Sequence, residues 1–243
     1  MKAALVTGAA NGIGRATAKL LLENGTVVAG LDRDPMPDLG PRFHPFEADL
    51  SDPDRIEATV AGALAAVPDL DSLVNCAGIY PVTPMLDMDA AEWDAVLSVN
   101  LRAPFLLSRA VARHWKDAGY RGTIVNVAST AAVLARPGVA HYAASKAGLI
   151  QLTRVMAVEL APLNIRVNAV APGLIATERV MEHATGAGAA EHGAKLQRIP
   201  AAREGTPEEV ARAICWLLSD DSAYATGSVL TLDGGFTLGI PAY

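Results

Sequence analysis

Two residues that could exchange a proton lie one helical turn apart in the second half of the chain. Tyr142 and Lys146 are separated by four positions, and a helix carries residues at that spacing on one face. A phenol titrates near pH ~10, so a phenolate at neutral pH must be stabilised by roughly 4 kcal/mol. A cation ~4 Å away supplies about 4 kcal/mol at an effective dielectric of ~20, but only about 1 kcal/mol in bulk water. The pair can therefore do acid–base chemistry only inside a partly dry cleft.

An isolated Tyr-x-x-x-Lys pattern more often marks a half-buried aromatic and a solvated lysine, so the start of the chain matters. A strand, a turn, a helix and a second strand are predicted at residues 3–7, 8–14, 15–24 and 27–31. The turn holds Gly8, Gly12 and Gly14, and the second strand ends in Asp32. A dinucleotide site requires this order, because the glycines let the main chain approach a pyrophosphate at the helix N-terminus. A tight turn without a ligand is the alternative.

The alternation of strands and helices continues along the rest of the chain. Further strands are predicted near 42–48, 72–75, 123–128, 165–170 and 229–232, and helices over 53–66, 90–116, 142–160 and 207–218. This order predicts an α/β protein with a Rossmann-like, doubly wound parallel sheet and helices on both faces. Pro104 falls inside the long helix, so we expect a kink or break there.

Polar residues collect where the predicted strands end. The residues at or just past a strand end are Thr7, Asp32, Asp49, Asn75, Ser129 and Pro172. Ligands bind beyond the carboxyl ends of the strands in such sheets, so this clustering predicts a site there.

Composition limits the class of protein. The chain has 243 residues, of which 51% are hydrophobic and only 5% aromatic, which suits closely packed helices and parallel strands. No repeat, low-complexity stretch or domain boundary is visible, so residues 1–243 are predicted to form a single domain. The net charge of −6 disfavours nucleic acid.

Other features of the sequence point to a cytoplasmic protein without a metal. Cys76 and Cys215 lack CxxC spacing, which is typical of a reducing compartment. The five histidines are dispersed, so each is expected to be a surface or structural residue and no metal site is predicted. We find no uninterrupted run of the ~18 apolar residues that a membrane span needs, so we expect no membrane association.

The ordered motifs resemble those of the classical short-chain dehydrogenase/reductase family over essentially the whole chain. They are Thr7-Gly-x-x-x-Gly12-x-Gly14, Asn75-Cys-Ala-Gly78, Asn100, Ser129, Tyr142-x-x-x-Lys146, and Pro172-Gly173 followed by Thr177. Two departures occur. Cys76 replaces an asparagine, which concerns local loop rigidity, and the proline-rich connection after Asp32 predicts that a helix usual at that edge is missing or reduced.

The resemblance implies a nicotinamide cofactor. Asp32 would bind the adenosine ribose and repel a 2′-phosphate, so NAD is expected over NADP. The adjacent Arg33 could pair with that phosphate, so use of NADP remains an alternative. Asp49 could instead cap the following helix. The expected cofactor-binding residues are Gly8, Asn11, Gly12, Ile13, Gly14, Asp32, Asp49, Leu50, Asn75, Ala77, Gly78, Tyr142, Lys146, Pro172, Gly173, Ile175 and Thr177.

The resemblance also implies catalytic roles in the interconversion of a secondary alcohol and a ketone by hydride transfer. Tyr142 would be the general acid and base. Lys146 would hold the nicotinamide ribose and, with the oxidised ring, lower the pKa of Tyr142. Ser129 would bind the substrate oxygen. Asn100 would anchor a water that connects Lys146 to solvent, or else merely relieve an irregular helical turn.

The substrate is expected to be a small or medium-sized alcohol or ketone. An apolar pocket is expected from Ala131, Val133, Leu134, Val139, Ile79 and Tyr80. Residues 174–205, which include a run of small residues at 184–190, are expected to form a mobile substrate-binding lid. The resemblance implies a homotetramer, a dimer of dimers that packs the helices of Asn100 and Tyr142 across one interface. The C-terminal segment 234–243 could close a neighbour's pocket or only cap its own.

Two other functions remain open at this stage. An NADPH-dependent 3-oxoacyl carrier-protein reductase is the nearest alternative. Such an enzyme must dock an acidic carrier, but residues 159–165 offer no arginine or lysine on a surface that could meet one. A catalytically silent nucleotide sensor is a different class, but such proteins commonly lose the acid–base residues, which are present here.

Overall fold

The protein is built around a seven-stranded, all-parallel sheet. The computed structural model describes residues 1–184 and 189–239. The strands are β1 (Ala3–Thr7), β2 (Val27–Asp32), β3 (Phe43–Glu47), β4 (Leu70–Asn75), β5 (Gly122–Val127), β6 (Ile165–Pro172) and β7 (Val229–Leu232). Their order in the sheet is β3-β2-β1-β4-β5-β6-β7. The strand order reverses between β1 and β4, which creates a crevice at their carboxyl ends.

Helices cover both faces of the sheet, which confirms the predicted fold class. The helices are α1 (Gly12–Glu23), α2 (Pro53–Ala66), α3 (Ala90–Leu97), α4 (Ala103–Ala118), α5 (Ala140–Leu160), α6 (Glu178–Ala184), α7 (Ala189–Leu196) and α8 (Pro207–Leu218). Leu21 of α1 and Ile214 of α8 lie in one apolar core, whereas Val60 of α2 and Leu107 of α4 lie in the core on the other face. The central strands are therefore buried on both sides.

The predicted long helix is interrupted by a π-helical turn, Ser98–Arg102, between α3 and α4. Pro104 stands in the first turn of α4, where its missing N–H costs no hydrogen bond within that helix. The expected irregularity is thus confirmed, and it lies just before the proline. Turns of this kind are frequent at functional sites, and this one carries Asn100.

The stretch Ala90–Ala118 is long and apolar enough, by length and composition alone, to cross a membrane. However, 44% of its most apolar window is buried inside the fold. One face of α4 contributes Leu107, Val111 and Trp115 to the core. A core helix of a soluble domain has these same properties.

No helix forms between β2 and β3, as the proline-rich connection predicted. Two prolines in four residues remove N–H donors that a helix would need. Met36 and Leu39 pack against the core from this connection. Gly30 makes room for the Phe43 ring, since a Cβ there would come within 2.5 Å of it. The edge of the sheet is therefore covered by an extended segment.

Parts of two predicted segments cannot be compared with the structure. The run of small residues at 184–190 and the C-terminal segment at 234–243 extend beyond the described residues, at 185–188 and 240–243. The described remainder of the first segment belongs to α6 and α7.

Candidate active site

The carboxyl ends of β1 and β4 are joined through Thr7. Its Oγ1 accepts hydrogen bonds of 3.0 Å from the backbone N–H groups of Cys76 and Ala77. Gly8 follows with φ +71°, and a Cβ there would lie 3.0 Å from the Ala77 main chain. Only glycine meets both requirements comfortably. The motifs around Gly8 and Ala77 thus form one wall at the point where the strand order reverses.

The glycine turn brings the N-terminus of α1 close to β1. A Cβ on Gly14 would stand 2.0 Å from the Gly8 carbonyl oxygen, so the helix can start here only because position 14 lacks a side chain. Gly12 has φ +51° and faces the Thr177 methyl group. Asn11 is the N-cap residue, but its side chain makes no capping hydrogen bond. Ile13, in the first turn of α1, packs against the core.

A carboxylate already lies at this helix N-terminus. Glu178 accepts a 3.2 Å hydrogen bond from the Gly12 N–H and also pairs with Arg15. Hydrogen bonding, first from its own backbone amide, and the nearby Arg15 lower the pKa of Glu178. Exposed N–H groups and the helix dipole attract anions at such a position. The turn thus already binds one anion, the Glu178 carboxylate. The same N–H groups fit the pyrophosphate of a dinucleotide.

Asp32 is oriented by the glycine turn and by the residues after it. Its carboxylate accepts hydrogen bonds from the backbone N–H groups of Ala10, at 2.9 Å, and Asp34, at 3.1 Å. Arg33 is exposed, with its Nε 3.8 Å from a carboxylate oxygen of Asp34. The acidic group is thus held at the end of β2, while the guanidinium lies in solvent.

Asp49 does not cap the following helix. Its Oδ1 accepts a 2.8 Å hydrogen bond from the Ser51 N–H, and this contact is the main cause that lowers its pKa. The side chain of Asp52 caps α2 instead. The helix-cap alternative for Asp49 is therefore wrong. Leu50, its neighbour, is buried in the core.

Lys146 is buried beneath the cleft. Its side chain is 4% exposed, and its Nζ donates a 2.8 Å hydrogen bond to the Val127 carbonyl oxygen. Burial lowers its pKa to about 8, because a low-dielectric environment disfavours the charged form. The Nζ lies 5.7 Å from the centre of the Tyr142 ring. The pair is thus in the partly dry environment that its chemistry requires.

Tyr142 is half-buried, and its neighbours affect its acidity in opposite directions. Burial raises its pKa, whereas a hydrogen bond with Ser129 and the charge of Arg136 lower it. The lowering of this pKa by Lys146 together with an oxidised nicotinamide ring stays a prediction. The two helical positions place the ammonium beside the ring, and the Nζ is turned toward Val127.

Asn100 holds the main chain of the loop that follows β4. Its Oδ1 accepts from the Ile79 N–H and its Nδ2 donates to the Ile79 carbonyl, both at 2.9 Å. Its Nδ2 also lies 3.3 Å from the Ser145 hydroxyl. A Cβ on Gly78 would fall 3.3 Å from Asn100 Oδ1 and 3.6 Å from Lys146 Nζ. Protein groups thus bind both ends of the amide side chain, and the two expected roles of Asn100, as an anchor for a water beside Lys146 or as a relief of the irregular turn, stay predictions.

The Asn75 side chain faces the interior instead of the cleft. Its Nδ2 donates to the Ser108 hydroxyl at 3.1 Å and to Asn126 Oδ1 at 2.8 Å. Asn126 in turn donates to Thr153 at 2.8 Å. This buried chain of polar groups ties β4 and β5 to α4 and α5. The amide nitrogen is therefore committed to the fold and the amide oxygen is buried without a partner, so the cofactor contact expected of Asn75 falls to its main chain.

The loop after β6 closes the opposite wall. Pro172 ends the strand, and a Cβ on Gly173 would come within 2.9 Å of the Asp233 backbone. Ile175 is buried and forms a parallel bridge with Gly205. Thr177 lies against Gly12, as described above. These residues from the predicted nicotinamide loop therefore flank the glycine turn.

Residues 174–205 form a segment whose two ends are joined. The Gly205 N–H donates to the Leu174 carbonyl at 3.0 Å, and the Ala176 N–H donates to the Gly205 carbonyl at 2.9 Å. Between these ends lie α6 and α7. The start of α6 contacts the rest of the protein through the side chains of Glu178 and Arg179, and the Ala201 N–H donates a 3.0 Å hydrogen bond to the Gly234 carbonyl.

The direct contacts of His141 and Tyr80 with Tyr142 were not predicted from the sequence. His141 is fully buried, with Nδ1 accepting from the Tyr142 N–H and Nε2 bonded to Glu92 at 2.9 Å. It is structural, as expected for a dispersed histidine. The Tyr80 ring contacts the Tyr142 ring edge-on at 4.7 Å. His141 directly precedes Tyr142, but only the fold reveals its partner on α3.

Cys76, the departure from the usual motif, is chemically quiet. Burial raises the pKa of its thiol to about 12, so the thiol stays protonated at neutral pH. Among the residues that the structure describes, no group of three or more histidine, cysteine, aspartate or glutamate side chains could hold a metal ion. A concavity of about 760 Å³ lies beside Trp115 and Arg166 and contains none of the acid–base residues. The candidate active site is therefore assigned from its acid–base residues and not from the volume of this concavity.

A parallel sheet with an anion-binding glycine turn at its switch point, beside a buried lysine and a tyrosine, defines a dinucleotide-dependent oxidoreductase. The chain belongs to the classical short-chain dehydrogenase/reductase family. A family model described as enoyl-(acyl carrier protein) reductase matches residues 8–237. The chain is thus an NAD(P)-dependent enzyme that acts on CH–OH donors, and the silent sensor is not supported.

Several characterised relatives span nearly the whole chain. The 3-oxoacyl-(acyl-carrier-protein) reductase FabG of Thermotoga maritima is 40% identical over 249 residues, which cover 98% of both proteins. The NAD-dependent glycerol dehydrogenase of Listeria innocua is 38% identical, over 98% of this chain and 94% of that protein. A solved 4-hydroxyisoleucine dehydrogenase complexed with NADH superimposes with a TM-score of 0.87 at 35% identity, over 98% of this chain and 100% of that one.

Proposed function

We propose that this enzyme is an NAD(H)-dependent dehydrogenase that interconverts a secondary alcohol and a ketone, with Tyr142 as the general acid and base. The observation that carries the proposal is the placement of Tyr142 beside the buried Lys146, whose Nζ lies 5.7 Å from the centre of the Tyr142 ring, with Ser129 acting to lower the pKa of the phenol. A phenol in a cleft, next to a hydroxyl and an ammonium, can exchange a proton with a substrate oxygen.

In the reduction direction, Tyr142 donates its hydroxyl proton to the substrate oxygen, while the Ser129 hydroxyl keeps that oxygen in place. In oxidation, Tyr142 accepts the proton. A bound nicotinamide supplies or accepts the hydride at the carbinol carbon. Lys146, with a pKa of about 8, is mostly protonated at neutral pH and can bind ribose hydroxyls. Asn100 positions the loop from Gly78 to Ile79 over this lysine.

The glycine turn is proposed to bind the pyrophosphate and Asp32 the adenosine ribose, which favours NAD. Solved relatives bind NADH in one case and NADP in another, so the preference belongs to this chain's own residues. The carboxylate of Asp32 would lie close to a 2′-phosphate and repel it, whereas Arg33 is exposed. The two values of kcat/KM decide the matter, and a clear preference for NADP would contradict the assignment.

The remaining cofactor contacts are proposed on the same basis. They comprise Asn11, Ile13, Asp49, Leu50, the main chain of Asn75, Ala77 and Gly78, and the loop residues Pro172, Gly173, Ile175 and Thr177. Residues 174–205, anchored at both ends, are proposed as the lid over the substrate.

We further propose a cytoplasmic homotetramer without nucleic-acid or membrane partners. Phe105 on α4 is 42% exposed, and Val155 and Val158 on α5 are 44% and 77% exposed. Apolar side chains on the outer faces of these two helices suit an interface between copies of the chain. Sedimentation equilibrium measures the oligomeric state, and a monomer at micromolar concentration would contradict this proposal.

Reduction of 3-oxoacyl groups on a carrier protein is the second candidate, because it is the activity named for the relative from Thermotoga maritima. An acetoacetyl thioester and a panel of simple ketones separate the two functions when each is offered with NADH and with NADPH. A strong preference for the thioester with NADPH would favour the reductase.

The central test is Tyr142→Phe, assayed by NADH absorbance with any ketone that the unaltered enzyme reduces. Turnover should fall by roughly 10²- to 10⁴-fold, the usual contribution of a general acid. NADH binding, followed by fluorescence titration, should remain nearly unchanged. Substantial residual turnover would remove Tyr142 from its role.

A further inference from the structure

Two arginines approach the catalytic tyrosine through a shared aromatic neighbour. The guanidinium carbon of Arg136 lies 5.1 Å from the centre of the Tyr80 ring. That ring meets the Tyr142 ring at 4.7 Å with planes 79° apart. Arg179, from α6, donates a 3.0 Å hydrogen bond to the Tyr80 carbonyl. Positive charge is therefore concentrated at the mouth of the cleft, on the substrate side of Tyr142.

The two arginines differ in what is left for a ligand. One N–H group of Arg179 already donates a hydrogen bond to the Tyr80 carbonyl. Arg136 is exposed and forms no ion pair with a carboxylate of residues 1–184 and 189–239. Other arginines are paired, such as Arg15 with Glu178 and Arg203 with Glu209. The cation–π contact with Tyr80 holds the Arg136 guanidinium beside that ring and leaves its N–H groups available to a ligand.

The charge of Arg136 is felt at the reacting group. It is one of the two influences that lower the pKa of Tyr142, the other being the hydrogen bond with Ser129. An arginine that acts on the phenol through space is also close enough to act on a group carried by the substrate.

We propose that Arg136 recognises a carboxylate on the substrate, so that this enzyme acts on hydroxy acids and oxo acids. The proposal rests on the proposed dehydrogenase function and names its substrate class. A planar guanidinium binds a carboxylate through two parallel N–H···O bonds. The two ring contacts place this anchor one aromatic side chain away from Tyr142. The carboxylate and the reacting carbon are therefore separated by a short carbon chain or by one ring.

The test compares oxo acids with their uncharged N-methylamides in the reduction direction, with NADH. Suitable pairs are 3-oxobutanoate, 4-oxopentanoate and 4-oxocyclohexanecarboxylate, each with its amide. For the unaltered enzyme, kcat/KM should be roughly 10- to 100-fold higher for at least one acid than for its amide, the worth of a charge-assisted hydrogen bond. Arg136→Met should abolish this preference by raising KM for the acid alone, whereas any change in kcat that acts through the pKa of Tyr142 should be the same for the acid and its amide.

Two further variants separate recognition from general damage. Arg136→Lys keeps the charge without the planar fork and should retain part of the preference. Arg212→Met removes an exposed arginine on α8, far from the cleft, and should change neither substrate. Thermal unfolding of each variant checks that the fold is retained.

Equal turnover of acid and amide by the unaltered enzyme would overturn the carboxylate assignment, as would an equal loss of both in Arg136→Met. Turnover of uncharged ketones alone would overturn it too, while leaving the dehydrogenase function in place. Failure to reduce any carbonyl compound with either cofactor would instead overturn the proposed function itself.

Discussion

On the sheet side of the cleft, Thr7, Asn100 and Lys146 bind main-chain atoms at 2.8 to 3.0 Å. On the other side, the first turn of α6 contacts the protein through charged side chains, as in the pair of Glu178 with Arg15. The first kind of contact joins buried groups, and water cannot reach these groups to replace a lost hydrogen bond. The second kind is partly exposed, so water and salt can replace it.

This difference separates what must stay fixed from what can move. The acid–base residues are attached to strand ends and to α5 through buried hydrogen bonds, each costly to break. The proposed lid is held at its ends by the bridge between Ile175 and Gly205 and, near the second end, by a hydrogen bond from the Ala201 N–H to the Gly234 carbonyl. Substitutions on the sheet side should therefore have large effects on folding or turnover, and substitutions in the lid small effects on binding.

The largest effect is expected from Gly14→Ala. The added Cβ would meet the Gly8 carbonyl oxygen at 2.0 Å, and neither main chain can yield without moving α1 away from β1. Stability should fall by about 3 kcal/mol or more, since this exceeds ordinary overpacking, and NADH binding should be lost. Urea unfolding and fluorescence titration measure both.

Gly62→Ala in α2 is the matched control. This helical glycine is exposed, and the nearest atom to an added Cβ is 3.8 Å away. Alanine should stabilise the protein by up to about 1 kcal/mol through helix propensity alone. If the two variants proved equally stable, the close packing of the glycine turn would not be the reason for glycine at position 14.

Ser129→Ala should have the next largest effect. Loss of the hydroxyl that holds the substrate oxygen should lower kcat by roughly 10²-fold. The Ser129 hydrogen bond lowers the pKa of Tyr142, so its removal raises that pKa further. Oxidation requires deprotonated Tyr142, and its rate therefore rises with pH. The rising limb of the pH profile should move to higher pH in the variant, and a shift to lower pH would contradict this account.

The fold and the catalytic pair could be predicted because their signals are local. Four positions suffice to place Tyr142 and Lys146 on one face of α5, and the strand–glycine–helix order sufficed for the turn. The partners could not be predicted, because they depend on the packing of distant segments. Asn100 reaches Ile79 and Glu178 reaches Gly12 only in the folded chain. Similarly, the sequence around Arg136 does not indicate that its guanidinium lies beside the Tyr80 ring.

Asn100→Ala tests the sheet side at a residue that holds main chain and that no substrate needs to touch. The variant loses two hydrogen bonds with Ile79 and leaves buried groups unpaired, which should cost roughly 2 to 4 kcal/mol. Turnover should fall with it, because Gly78 and Ile79 are no longer fixed above Lys146. Asn24→Ala, at the exposed end of α1, should change stability by less than about 0.5 kcal/mol.

The smallest effect belongs to the lid. Glu178 occupies the helix N-terminus that a pyrophosphate would need, and its lowered pKa keeps it charged at neutral pH. Glu178→Gln removes a competing anion worth about 0.3–1 kcal/mol at a helix end, so NADH should bind roughly two- to fivefold more tightly. The gain should shrink as salt is added, because the group is partly exposed. Weaker binding in the variant would instead indicate that the carboxylate helps to close the lid over the cofactor, and the contrast between the two sides of the cleft would have to be abandoned at this residue.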